Sequence, residues 1–207
     1  MDAKQTVIVV DDDSPVRDSL RALLESAGYG VKDYSSAKAF LDEPVPVRSC
    51  LIVDIRMPGM DGLELLEEIS KRAINLPVVI ITGHGDVPLA VRAMKAGAMD
   101  FVEKPFNDEV ILESVKRALV VGHEERSRLA EAKAAQEIVA LLTPRERNVL
   151  EQLVAGRSNK LAAYELGISP RTIEIHRASI MDKMQARSLS QVVRIALAAN
   201  HSPPALE

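Results

Sequence analysis

The sequence predicts an open, doubly wound α/β domain on a five-stranded parallel sheet of order 2-1-3-4-5, followed by a smaller all-α domain of four helices. Three observations lead there. Over roughly the first 120 residues, short apolar runs alternate with amphipathic stretches, the repeat of a parallel sheet with helical crossovers. Carboxylates follow the first and third runs directly, at the strand ends where a sheet of this order binds ligands. Beyond residue 138 the strand pattern stops, and helix caps with a basic surplus replace it.

Each element has its own signal. Thr6 to Val10 is a β-branched run ending in Asp11, Asp12 and Asp13, which reads as a buried strand with acids at its exit. Ser14 and Pro15 open a helix in which Val16, Leu20, Leu23, Leu24 and Ala27 keep helical spacing until Gly28 and Gly30 stop it. Val31 to Tyr34 is a weaker second strand, Ser36 to Leu41 a short helix, and Pro44 with Pro46 a loop. Cys50 to Asp54 is the third strand: four apolar residues lead into one carboxylate, and Met57-Pro58-Gly59 turns the chain. Asp61 starts a helix carrying Leu63, Leu65, Leu66 and Ile69. Pro77 to Thr82 is the fourth strand, apolar until its last residue. Asp86 and Pro88 open a helix that Gly97 ends; Phe101 and Val102 form the fifth strand, and Asn107 to Val121 the fifth helix. Residues 1–122 thus make the first domain. Gly122 is expected to break the helix, which leaves 123–138, charged and Ala-rich, as a connector that is either a solvated helix or a tether. An unbroken helix through it is the alternative.

Residues 139–200 read as helices only. Thr143, Pro144 and Glu146 supply a cap, a proline at the first helical position and an acid in the first turn of a helix through Val149, Leu150 and Leu153. Ser158 caps the next, with Leu161, Ala162 and Leu166. Gly167-Ile168-Ser169 is a tight turn, and Pro170 opens a third helix with Ile173, Ile180 and Met184 inward, so the spacing is that of a helix-turn-helix. Ser188 to Ala199 closes the bundle, and 201–207 is a Pro-rich tail expected to be disordered.

Composition narrows the function. The chain has 207 residues, 47% of them hydrophobic, as in ordinary globular proteins. No apolar run nears the ~20 residues of a membrane span, and the acids after Val10 rule against a signal peptide. Cys50 is the single cysteine, expected only to pack, which points to a reducing cytoplasm. Residues 1–123 hold 14 Lys and Arg against 20 Asp and Glu, a net -6; residues 139–207 hold 9 against 6, a net +3. An acidic front and a basic back suit a second domain that meets a polyanion.

The strand order puts the first and third strands side by side, which brings Asp11, Asp12 and Asp54 to one rim. Three carboxylates there repel, and the usual remedy is a hard dication such as Mg2+, which favours oxygen ligands and keeps several waters. The plainer reading makes Asp54 a turn residue, Ser14 a helix cap, and Asp11 and Asp12 solvated. Two further strand exits aim at the same rim, with Thr82 after the fourth and Lys104-Pro105 after the fifth. A carboxylate nucleophile, a metal, an ammonium and a hydroxyl are what an acyl-phosphate requires.

Asp11-Asp12, Asp54 within Val-Asp-Ile-Arg-Met-Pro-Gly-Met-Asp-Gly, Thr82 within Ile-Ile-Thr-Gly-His-Gly, and Lys104-Pro105-Phe106 together resemble the receiver domain of two-component response regulators, whose sheet is flavodoxin-like. The resemblance implies that Asp54 accepts phosphate from a sensor histidine kinase and that Asp11, Asp12, Asp54 and the Arg56 carbonyl hold Mg2+. It further implies that Lys104 pairs with the phosphate, that Thr82 and Phe101 move on activation, and that the Lys104-Pro105 bond is cis. In the back domain, Leu142-Thr143-Pro144-Arg145-Glu146, Ser158-Asn159-Lys160 and Ile168-Ser169-Pro170-Arg171-Thr172, with His176 and Lys183, resemble the LuxR-type DNA-binding domain. The whole chain is thereby similar to regulators of the NarL/FixJ family. That resemblance implies that Arg171, Thr172, Glu174, Ile175 and Ala178 face promoter DNA, with Lys160 and Lys183 near phosphates and Asn159 a further DNA-binding residue; the basic cluster Arg157, Lys160, Arg171, Arg177 and Lys183 itself suits phosphate contacts. Many relatives carry Lys where this chain has Glu174; a carboxylate repels phosphates yet accepts from cytosine. RNA polymerase, a second copy on phosphorylation, and nitrogen-fixation or microaerobic genes follow from the same resemblance, and the leftover apolar face of the last helix either packs on its own bundle or pairs two DNA-binding domains.

Three readings compete: a transcription regulator switched by phosphate at Asp54, a DNA-binding protein whose receiver is only a docking platform, and a Mg2+-dependent aspartyl phosphohydrolase. The last is disfavoured by Arg56, because hydrolases of the haloacid dehalogenase type place an acid two residues past the nucleophile. The chain is therefore expected not to be an enzyme.

Overall fold

The computed structural model describes residues 5–83 and 86–200; the expectations for His84, Gly85 and the 201–207 tail lie outside the described residues. The chain divides into two units, Met1–Arg126 and Ser127–Glu207. In the first, β1 (Thr6–Val10), β2 (Gly30–Tyr34), β3 (Ser49–Asp54), β4 (Val78–Thr82) and β5 (Asp100–Glu103) form one parallel sheet of order β2-β1-β3-β4-β5, as predicted. Between them run α1 (Ser14–Ser26), α2 (Ala37–Leu41), α3 (Gly62–Lys71) and α4 (Val87–Lys95), and α5 (Asp108–Ala140) follows the last strand.

The strands β1, β3 and β4 are apolar along nearly their whole length because helices cover both sheet faces. Alternation sorts their side chains into two cores. Ile8, Val10, Leu51, Val53 and Ile80 pack with Phe40, Leu63, Leu66 and Ala93 of α2, α3 and α4. Val7, Val9, Cys50, Ile52, Val79 and Ile81 pack with Leu20, Leu24, Ile111 and Val115 of α1 and α5. Cys50 is fully buried, and burial pushes its thiol up to about 12, so it packs and does not react.

Register then sets the rim. Val10 pairs with Val53, so Asp11 emerges beside Asp54; Asp54 pairs with Ile81, and Thr82 with Glu103, so Thr82 and Lys104 emerge one step further on. A one-residue slip would send these side chains to the other face.

The expected break at Gly122 is not there: α5 runs unbroken through it to Ala140. Gly122 serves another purpose, since a Cβ at that position would lie 2.5 Å from the Pro77 ring. It is a close-approach glycine that lets the loop before β4 rest on the helix. Beyond it, Ala132 and Ala135 are buried and Ile138 and Val139 join the second unit's core, a stripe of mostly small residues that periodicity under-weights.

In the second unit α6 (Pro144–Val154), α7 (Asn159–Leu166), α8 (Pro170–Lys183) and α9 (Leu189–Ala199) enclose Val149, Leu153, Ala162, Ile173, Ile180, Met184, Val192 and Ala196. Gly167, at φ 63°, ends α7, and Ser169 caps α8 by accepting from Thr172 N–H. Arg194 and Leu197 of α9 remain exposed, while Val192 and Ala196 pack inward on the bundle.

Candidate functional site

At the carboxyl rim of the sheet Lys104 holds two acids together. Its Nζ donates to Asp11 Oδ2 at 2.7 Å and to Asp54 Oδ1 at 2.8 Å. The other oxygens accept from main chain, Asp11 Oδ1 from Asp13 N–H at 2.9 Å and Asp54 Oδ2 from Arg56 N–H at 2.6 Å. Asp11 and Asp54 are buried, at 1% and 5% exposure. Lys104 arrives through the turn after β5, where its N–H donates to Thr82 O at 2.7 Å and its bond to Pro105 is cis.

Burial raises the Asp54 carboxyl above the ordinary aspartate range, and the Lys104 hydrogen bond and charge pull it back only in part, with Asp11 adding to the rise. Burial works against the Lys104 charge, but its hydrogen bonds to Asp11 and Asp54 outweigh that and hold the amine above its usual value. Asp54 is thus a buried acid whose negative charge Lys104 and the Arg56 N–H compensate only in part.

The expected gathering of three carboxylates is only partly realised. No group of three His, Cys, Asp or Glu is placed to hold a metal among the described residues, and Asp12 is exposed beside the buried pair. Lys104 supplies counter-charge to both buried acids. The donor chemistry nonetheless suits a hard dication, with two buried carboxylates on adjacent strand ends and Asp12 next in the chain. Thr82, fully buried, follows the alternation of Ile80 toward the α3 and α4 side, whereas Asp11, Asp54 and Lys104 follow that of Val9, Ile52 and Val102. Phe101 is half-buried against the α2 to α4 core.

Several positioning residues carried no sequence signal. Arg17 Nη1 donates to Asp11 O at 2.7 Å, and Arg17 and Arg21 both pair with Asp33 of β2, bracing the chain behind Asp11. Gly62 N–H donates to Ile55 O, and a Cβ on Gly62 would lie 2.4 Å from Asp54 O, so only glycine lets α3 begin against the end of β3. The Asp-Gly pair at 61 and 62 was the one available hint.

In the second unit α8 presents Arg171, Glu174, Ile175 and Ala178 on one exposed face, with Thr172 half-buried and Lys160 exposed on α7. Two cations expected at the DNA backbone have partners within the unit. Arg177 Nη1 donates to Asn159 Oδ1, and Lys183 Nζ to Glu146 Oε2 at 2.7 Å. Glu146 was read only as a capping-box acid. It does close that box with Thr143, and it also accepts from Ser179 Oγ at 2.7 Å, tying α6 to α8. Chiefly through Lys183, then Ser179 and Thr143, its carboxyl is pulled down to about 2.

Comparison with known proteins agrees with this geometry. Residues 7–116 match the response regulator receiver domain, and 140–196 the luxR family of bacterial regulatory proteins. The chain is 51% identical to the transcriptional regulatory protein FixJ of Azorhizobium caulinodans over 198 residues, 95% of this chain and 94% of that protein. It is 49% identical to FixJ of Rhizobium meliloti over 199 residues, 96% and 98% of the two. The solved response regulator StyR superposes with a TM-score of 0.81 at 42% identity over 94% of this chain and 99% of that one; full-length FixJ from B. japonicum gives 0.59 at 49% identity over 97% and 100%. The chain belongs to the NarL/FixJ family of response regulators, a receiver domain joined to a LuxR-type DNA-binding domain.

Proposed function

We propose that this chain is a phosphorylation-switched regulator of transcription in which Asp54 is the phosphoacceptor. The observation that carries the reading is the Lys104 ammonium shared between the buried Asp11 and Asp54. A carboxylate oxygen of Asp54 attacks the phosphorus of a phosphohistidine on a sensor kinase; the O–P bond forms as the P–N bond breaks, and the imidazole leaves with a proton. Lys104, already within reach, pairs with the phosphoryl oxygens, the role its fixed charge suits. Asp11, Asp12, Asp54 and the Arg56 carbonyl would hold Mg2+, which when bound would supply further neutralisation of that charge. Thr82 and Phe101 then rearrange, and two receivers pair. The exposed face of α8 enters the major groove of promoter DNA with Lys160 toward phosphates, while Arg177 and Lys183 reach phosphates only on leaving Asn159 and Glu146, and RNA polymerase is the downstream partner. Residues 1–122 form the switch, 123–138 the connector and 139–200 the reader.

The rim is not built for repeated turnover: Arg56 stands where an aspartyl phosphohydrolase would carry its acid. No helix among the described residues is long and apolar enough to cross a membrane, which supports a cytoplasmic site of action. The resemblance to FixJ supports nitrogen-fixation or microaerobic promoters as targets. Treating the protein with acetyl phosphate or beryllofluoride and Mg2+ is expected to yield a larger species in sizing and a stronger DNA shift. Equal shifts with and without treatment would make the receiver a mere docking platform.

A further inference from the structure

The charged and outward-facing residues of α8 are divided unevenly by the structure. Arg177 is turned back to Asn159, and Lys183 to Glu146. What remains on the outward face is Arg171, Glu174, Ile175 and Ala178, spaced so that all four line one side of the helix. Ile175 is 63% exposed, and neither Arg171 nor Glu174 has a hydrogen bond or ion pair among the described residues. The face thus has one cation and one anion at its centre, with Asp182 exposed one turn beyond Ala178.

Such a face cannot be drawn into the groove by charge alone. Attraction to phosphates scales with the cations offered, and here the central carboxylate cancels the arginine. A carboxylate pressed into a major groove without a donor would be desolvated among phosphates at a net cost. The groove edge that offers a donor to a lone carboxylate is the N4 amino group of cytosine, while Arg171 matches the O6 and N7 acceptors of guanine and the methyls of Ile175 and Ala178 match thymine.

We infer that Glu174 is a specificity-determining residue that accepts a hydrogen bond from a cytosine amino group in the target, so that each half-site carries a G·C pair facing it. The inference rests on the reading of α8 as the DNA-contacting helix and names what that helix selects.

The test is selection of bound sequences from a randomised duplex library by the full chain, treated with beryllofluoride and Mg2+, for the wild type, Glu174→Gln and Glu174→Ala. Glu174 is exposed, and circular dichroism is expected to show all three folded alike. The wild type should enrich a motif with one position held as cytosine. Glu174→Gln should move that position toward adenine, since an amide pairs with the adenine edge. Glu174→Ala should lose about tenfold of discrimination there and nowhere else. Identical motifs from all three proteins, or a change confined to a pair other than G·C, would overturn the inference while leaving α8 as the reader. A wild type that enriches no sequence would remove that reading as well.

Discussion

Each unit sets a buried carboxylate against a lysine, Glu146 against Lys183 in the second and Asp54, which shares Lys104 with Asp11, in the first, and Glu146 and Asp54 are treated in opposite ways. Glu146 accepts from Lys183, Ser179 and both the N–H and hydroxyl of Thr143, and its carboxyl falls to about 2. Asp54 receives one main-chain N–H and a share in a lysine that also serves Asp11, and burial raises its carboxyl. The difference teaches how a fold separates a structural acid from the one proposed as phosphoacceptor. A carboxylate surrounded by donors is stable and inert, whereas one left short of donors in a buried place keeps charge density for bond formation.

The largest effect expected from this contrast is at Asp54. Asp54→Asn should abolish phosphate uptake and induced dimerisation, and it should raise the melting temperature of the first unit at neutral pH by removing an uncompensated charge; phosphorylation assays and thermal melts read the two effects. Uptake surviving in that variant would place the acceptor elsewhere. Glu146→Ala should do the reverse, costing the second unit about 3 kcal/mol in denaturant unfolding because the Ser179, Thr143 and Lys183 donors lose their acceptor.

The two lysines sharpen the comparison further. Lys183→Met should cost the second unit about 1–2 kcal/mol, the worth of one charge-assisted bond, and added Mg2+ should not restore it. Lys104→Met leaves Asp11 and Asp54 facing one another, so the first unit should lose stability at neutral pH and recover when Mg2+ is added. Indifference to Mg2+ would count against the two acids as its ligands.

The smallest expected effect is in pH. Glu146 has a folded-state value below its ordinary 4.5, so its stabilisation is present above that value and is lost as pH falls toward about 2. Asp54, raised on folding, has the opposite sign: its contribution is present in acid and is lost as pH rises through the folded value. Unfolding followed separately in the two units from pH 5 to pH 2 should show the second weakening with a slope that Glu146→Gln removes.

Much of this was legible in the chain itself. Apolar runs ending in Asp11, Asp54 and Thr82 placed the strands to within a residue, because strands covered on both faces have no polar alternation to blur them. Caps at Asp61, Thr143 and Ser158 placed helix starts equally well, since each accepts from a backbone N–H only three residues away. Gly122 misled because a glycine in a helix looks like a stop until the Pro77 ring resting on it is seen. The pairing of Lys183 with Glu146 left no local signal, because the two lie 37 residues apart in sequence.

By itself, then, the amino-acid order determined the element succession, the sheet order and the strand ends at which Asp11, Asp54 and Lys104 stand, since these follow from periodicity, caps and strand ends within a few residues of one another. Only the tertiary structure decided who neutralises whom: that Lys104 stands between Asp11 and Asp54, that Arg177 and Lys183 turn inward, and that Glu174 has no partner among the described residues on the face of α8. Charge pairing depends on distances across the fold, and no local pattern in the chain encodes them.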